Sequence, residues 1–268
     1  MREWGSWNLI RELVLKDLKV RYSRPSLGFL WVFLSPLLIV VIFYIVFGLF
    51  LKVKIPEAPF VLYLMSGIFP WIFFQDSILK STTSLMDNKN LIKESGFPHY
   101  MIPVSIVFAN FINYLPSLLI MIISSSVILR GLPLLIFLLP FTLMIHLSIT
   151  MGLSVIFSIL YVRQRDVKYA LDAVLLLFFY LSPVFYSISS VKIALTGSLF
   201  IIYINNPLTG MLNLYRITVM KGVYHIIENN AGFVSIIFIP FISGILILCA
   251  GFWLYRKNRD IINDYLAY

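Results

Sequence analysis

The sequence predicts an all-helical integral membrane protein with six transmembrane helices, and three observations carry that fold class. The first is composition. Of 268 residues, 60% are apolar and only 12% are charged, with a mean hydropathy of +0.93, whereas soluble domains run at roughly 45–50% and about 25%. The second is the presence of apolar runs long enough to cross a hydrocarbon core of about 30 Å at about 1.5 Å per residue. The third is the placement of the cations. With six spans, 15 of the 21 Lys and Arg residues fall on one side and 6 on the other. That bias places both termini in the cytoplasm. The same numbers exclude a disordered chain, which would be apolar-poor and charge-rich. The single cysteine, Cys249, lies in an apolar run and excludes a disulfide framework. The net charge of +9 therefore speaks to orientation in the bilayer rather than to nucleic acid.

The chain is read as one transmembrane domain over residues 1–268. It opens with an amphipathic interface helix within residues 1–27. Trp4, Trp7, Ile10, Leu13, Val14, Leu18 and Tyr22 recur at spacings of three and four, opposite Arg11, Glu12, Lys16 and Lys19. Asp17 and Arg21 belong to the same segment. Tryptophans and cations suit a helix lying at the headgroups of an anionic leaflet. Pro25 ends it and Gly28 lets the chain turn into the membrane. The stretch is too long and too acidic for a signal peptide, so it is expected to remain as structure.

The expected spans are 29–51, 60–79, 101–129, 134–161, 169–188 and 232–255. Residues 189–216 are weakly apolar and broken by Gly197, Asn205, Asn206, Pro207 and Gly210. They read as short interfacial or re-entrant helices on the extracytoplasmic side. A seventh span there would put Arg256, Lys257 and Arg259 outside, against the cation rule.

Most reaction chemistry is missing. No G-x-x-x-x-G-K-[ST] loop is present, so the chain is not expected to hydrolyse nucleotide, and no metal-ligand or nucleophile constellation is visible. The chain is expected to be a transporter component rather than an enzyme, with no cofactor of its own. Asp76 lies inside the second expected span and His146 inside the fourth. They are the assets of a rival reading, an ion-coupled secondary transporter, which ordinarily needs several buried ionisable groups. What is abundant is aromatic, at 16% of the chain. Tyr44, Trp71, Phe74, Tyr180, Phe185 and Tyr186 lie in or near the spans. They suit interfacial belts and lipid-facing bulk. A sharper reading of the same rings is a wall on which sugar rings slide, a ring face packing on the C–H face of a pyranose.

Four stretches together resemble one family. Lys16 to Trp31 followed by Ser35, Pro36 and Leu37 is similar to an R-D-L-K-x-R-Y opening with a later L-G-x-x-W and P-L, Lys16 replacing the usual Arg. Ser95 to Pro98 leads to Met101, Ile102 and Pro103. Arg163 to Val167 leads to the Leu181–Tyr186 segment. Asn206 and Pro207 precede Tyr215 and Arg216. In this order they resemble the permease subunits of ABC transporters that export polysaccharides such as O-antigen, capsule and teichoic acid. A related permease for a drug or small lipid is the rival within that architecture.

The resemblance implies a plasma-membrane (cell inner membrane) exporter of lipid-linked polysaccharide, most simply O-antigen. Its pore is formed by two copies of the chain, and a separate ABC ATPase subunit holds ATP and Mg. Coupling to that subunit is expected at Asn88, Lys89, Leu91, Ile92, Lys93, Glu94 and Phe97, with Leu91 and Ile92 as apolar anchors. Arg163, Arg165 and Asp166 form a second candidate contact, or an internal charge network. An extracytoplasmic gate is expected around Asn206, Pro207 and Arg216, the arginine being either solvated or attracting anionic headgroups or a lipid pyrophosphate.

Overall fold

The computed structural model describes residues 6–22, 30–55, 58–92, 97–133, 135–195, 197–223, 227 and 232–267. Among these residues every regular element is a helix. Helix α1 is Ser6–Tyr22, with Lys19 and Arg21 in its last turn, where cations complement the helix dipole. Trp4, Pro25 and Gly28 lie outside the described residues.

Helix α2, Trp31–Phe43, continues as a wider π-helical stretch, Tyr44–Phe50. Helix α3 is Phe60–Asp87, α4 Lys89–Ile92, α5 Met101–Ile128 and α6 Leu139–Arg163. The chain goes on through α7 (Val167–Leu181), α8 (Ile188–Ala194), α9 (Ser198–Ile204) and α10 (Pro207–Val219). A π-helical turn, Val234–Phe238, leads into α11, Ile239–Ala267. Prolines 36, 70 and 116 sit inside α2, α3 and α5. Apolar packing on neighbouring helices tolerates them where an isolated helix would break. Buried hydroxyls of Thr82, Ser84, Ser105 and Thr150 bond back to carbonyls three or four residues earlier, which satisfies them without leaving their own helix.

Five helices are long and apolar enough to cross a bilayer: Trp31–Phe50, Phe60–Asp87, Met101–Ile128, Ile136–Arg163 and Val234–Arg259. Four agree closely with the expected spans, and the second runs eight residues past its expected end at 79. The expected span 169–188 is the exception. Its helix, α7, has 15 residues, about 22 Å at 1.5 Å per residue. Pro183 explains the early stop. The residue before a proline is pushed out of the helical region, and Ser182 is extended with φ −93° and ψ 152°.

Small residues set the closest helix packing. A Cβ on Gly251 of α11 would lie 2.7 Å from the carbonyl oxygen of Gly152 on α6, and one on Gly152 would lie 2.6 Å from the Ile247 backbone. Close backbone approach of this kind holds membrane helices together where no hydrophobic force acts between them. At Gly67 of α3 a Cβ would meet the Val184 carbonyl oxygen at 2.4 Å, and at Gly210 of α10 the Ser235 carbonyl oxygen at 2.6 Å.

Candidate functional site

Two polar centres stand out, one at each end of the bundle. The first lies where α1, the ends of α3 and α6, the start of α5 and the last turns of α11 meet. Leu9, Leu85, Ile92, Phe97, Met101, Val162, Tyr255 and Ile262 form a separate apolar cluster there. Helix α1 packs along α5, Trp7 meeting Phe108 edge-on at 6.2 Å. Arg11, Lys16 and Lys19 face outward, while Asp17 and Arg21 pair at 2.7 Å. Lys16 Nζ donates to Asn88 Oδ1 at 3.3 Å, joining the interface helix to the loop after α3.

In that loop Asn88 caps α3, its Nδ2 donating to the Ser84 carbonyl oxygen at 2.9 Å. Lys89 and Leu91 are partly exposed. Ile92 and Phe97 are buried in the chain's own cluster, so of the two expected anchors only Leu91 offers surface to another molecule. Lys93 and Glu94 lie outside the described residues. Arg163, Arg165 and Asp166 are all exposed in the turn between α6 and α7. His99 sits beside this cluster, between Phe97 and Tyr255 with ring centroids 6.4 Å from each. Burial, reinforced by the Arg259 charge, pushes its pKa below the ordinary histidine range.

The second centre is built on α10. Asn206 caps this helix, its Oδ1 accepting from the Leu208 amide at 3.0 Å, and Pro207 occupies the first turn. That pairing is a strong helix start. Every residue from Leu208 to Val219 is buried. Arg216 is fully buried, which corrects the expectation of a solvated or headgroup-attracting cation. Its Nε donates to Ser66 Oγ at 3.3 Å and Nη1 to Asn213 Oδ1 at 3.1 Å. Its Nη2 donates to the carbonyl oxygens of Pro183 and Val184. The guanidinium carbon lies 3.6 Å from the Tyr63 ring centroid, a desolvated cation–π contact. Arg216 thus ties α10 to α3 and to the turn that ends α7.

The expected channel aromatics divide. Trp71 and Phe74 are buried in the core, 5.6 Å apart, and Trp71 lies 5.5 Å from Phe179. Phe185 is the hub of a ring cluster that takes in Phe47, Tyr180 and Tyr186 at 4.8, 5.8 and 5.2 Å. Tyr63 Oη donates to the Tyr186 carbonyl oxygen at 2.9 Å, so the cluster adjoins the Arg216 centre. Tyr44 stands apart, near Phe60 at 6.3 Å.

Each residue of the ion-coupled rival has a partner on this chain. Asp76 pairs with Lys80 at 2.7 Å in a half-exposed ion pair. His146 Nδ1 shares a hydrogen bond with the Tyr215 hydroxyl at 2.8 Å, with Phe73 edge-on at 4.8 Å. No cluster of metal-ligating side chains occurs among the described residues. Ser66, Tyr63 and the Pro183 carbonyl were not singled out as partners from sequence. The signal was an arginine as the one charged residue in the run from Pro207 to Val219, since an ionisable residue in apolar surroundings marks a function by default.

The helices thus define a polytopic membrane protein with no reaction centre among its described residues. The chain belongs to the ABC-2 type transporter family, whose model matches residues 8–220. It is similar to the O-antigen export system permease protein RfbA of Klebsiella pneumoniae, 32% identical over 256 residues that cover 94% of this chain and 93% of that protein. It is 29% identical to the protein of the same name from Myxococcus xanthus over 208 residues, 78% of each chain. A shorter match, 26% over 82 residues and 31% of this chain, is to the polysialic acid transport protein KpsM of Escherichia coli.

Proposed function

We propose that this chain is the membrane permease of an exporter that carries lipid-linked polysaccharide, O-antigen in the first instance, across the cell inner membrane. Two copies form the conduit, and a separate ABC ATPase supplies the motion. The observation that carries the reading is the likeness to the O-antigen export permease of Klebsiella pneumoniae over 94% of the chain, joined to ABC-2 family membership.

Six crossings with cytoplasmic termini fit the packing. Residues from α1, the end of α3, the start of α5, the end of α6 and the end of α11 share one cluster. Shared placement of α1 and the far end of α11 calls for an even number of crossings. Between Val162 and Val234 the chain has one crossing to make. Helix α7 and the three short helices after it are the segment available, with α10 entering the outer half from outside. Leu91, Lys89 and the exposed Arg163–Asp166 turn face the ATPase in this arrangement. The exposed apolar side of α2 and its π-helical extension, including Leu34, Leu38, Val41 and Ile45, meets lipid or the second copy. The Phe185 ring cluster supplies the sugar-facing surface and Arg216 holds the outer gate.

The test is genetic and biochemical. Deleting the gene should strip the long-chain glycan from the cell surface and leave it accumulating inside on its lipid carrier. The tagged permease should co-purify with an ABC ATPase. Undiminished surface glycan in the deletion strain would overturn the reading.

A further inference from the structure

A cavity of about 450 Å³ lies between α10, the turn that leads into α6 and the π-helical turn that leads into α11, at the end of the bundle away from the α1 cluster. Leu135, Leu138, Ile217, Phe233 and Ile237 are among its walls, and Lys221 is the one ionisable side chain that lines it among the described residues. An apolar cavity of about 150 Å³ takes up benzene with its six carbons, so three times that volume has room for about eighteen, the length of a single acyl chain. Water is a poor filling, because a buried water needs about two to four polar partners and the lining side chains offer one. An empty space would forfeit dispersion contacts on every wall.

The surroundings say which molecule fits. Leu132, Phe137 and Val234 adjoin the lining residues in sequence and are exposed. Exposed apolar side chains gathered in this way mark a surface that meets hydrocarbon. At the rim, Lys221 Nζ lies 3.5 Å from where a Cβ on Gly131 would stand, beside the turn that also carries Arg130. Both cations are exposed. No acid lines the cavity, and neither cation belongs to an ion pair among the described residues. Apolar walls and uncompensated positive charge at the mouth match one tail and the head of an anionic phospholipid. A sugar chain would leave its hydroxyls unpaired against these walls.

We propose that this cavity holds one acyl chain of an anionic phospholipid, whose head takes the Lys221 ammonium at the rim. The tail acts as a wedge that completes the packing of α10 against the start of α6 and the start of α11. Burial of the tail supplies the affinity, and the rim supplies the preference for charge. That the lipid belongs to the outer leaflet rests on the topology proposed above; the binding does not.

The full-length chain in phosphatidylcholine nanodiscs would receive a trace of a phosphatidylglycerol or a phosphatidylcholine probe, each with the same photoactivated diazirine midway along one tail. Irradiation and peptide mapping read where the tail lies, with the exposed face of α2 as the reference for ordinary lipid contact. Adducts are expected on residues 135–138 and 214–221, about threefold more with phosphatidylglycerol, the scale of one exposed charge pair. Ile237→Trp fills the cavity from its partly exposed edge and should cut that labelling about tenfold while α2 is labelled as before. Leu135→Trp does the same from the opposite wall if the first variant fails to fold. Lys221→Gln should remove the threefold preference and keep the tail adducts. Cavity labelling no greater than that of α2, or unaffected by a folded Trp variant, overturns the site. Equal labelling by the two probes overturns the anionic head. Displacement of the probe by a polyprenyl phosphate at lower concentration than by phosphatidylglycerol overturns the phospholipid as occupant. No ATPase or glycan is present. A failed export assay beside intact labelling would sink the export reading alone, and the reverse would sink this one alone.

Discussion

Helices α2 and α10 contrast sharply. Helix α2 with its π-helical extension is the most hydrophobic of the five long candidates, yet only 11% of its most apolar stretch is buried. Helix α10 is shorter, mixes polar and apolar residues and contains an arginine, yet its residues from Leu208 to Val219 are all buried. In lipid, hydropathy reports what touches hydrocarbon. The protein core is selected for close backbone approach and for satisfied polar groups. Helix α10 meets both demands, through Gly210 against Ser235 and through the Arg216 bonds.

The contrast can be broken most forcefully at the glycines. Gly67→Leu and Gly210→Val drive side chains into backbone, where no flexible neighbour can move aside. Each should cost about 3 kcal/mol or more, read as loss of monodisperse protein in detergent. A normal melting temperature would mean, for Gly67→Leu, that Val184 does not lie against α3 as described and, for Gly210→Val, that α10 does not lie against Ser235 and Pro240. Arg216→Met keeps the bulk and removes the donors to Ser66 and to the Pro183 and Val184 carbonyl oxygens. A loss of about 2–4 kcal/mol is expected, because those groups stay buried, with Arg216→Lys recovering only part of it.

The adjacent pair Leu91 and Ile92 sharpens the contrast at the other end. Ile92→Asp should destabilise the fold by about 3 kcal/mol, placing a charge in the apolar cluster. Leu91→Asp should leave stability unchanged and lower stimulation of the ATPase by the permease. The reverse pattern would exchange their roles. Leu38→Ala on bare α2 should fall within about 0.5 kcal/mol for the single chain. A larger loss would show that this face is covered by a second copy.

The smallest effect is on pH. His99 has a folded pKa below its unfolded value of about 6.5. Its neutral form is the one the fold accommodates, so its contribution is fully present above about pH 6.5 and is lost as pH falls through the folded pKa. Melting temperature should therefore decline on acidification below about pH 6.5, and His99→Asn should flatten that decline. An unchanged profile would remove His99 from the account.

The long spans were legible because each is a continuous apolar run, whereas Asn206 and Pro207 read only as breaks in a weak apolar stretch and their place at the start of α10 came from the structure. The depth of α10 was not legible either. Its apolar density is that of an interfacial helix, and its burial depends on Ser66, Pro183 and Ser235, which are remote in sequence. The end of α7 at Ser182 was readable in principle from Pro183, but the apolar run continues past it and the run was followed instead. Among site residues, sequence alone assigned Leu91 and Ile92 the same role. Only the packing of Ile92 beside Leu9 and Tyr255 separates them. The cavity behind Lys221 carried no signal at all, because its walls come from separate stretches of the chain.

The central claim is that this chain is a conduit moved by nucleotide hydrolysis on another subunit. The most direct test is reconstitution in proteoliposomes loaded with a lipid-linked glycan, scored by protection of the glycan from an external glycosidase. With the partner ATPase and ATP, glycan should become accessible on the far side. With the ATPase absent, or with ATP replaced by a non-hydrolysable analogue, it should stay protected. Uphill movement of a solute by the chain alone would contradict the account.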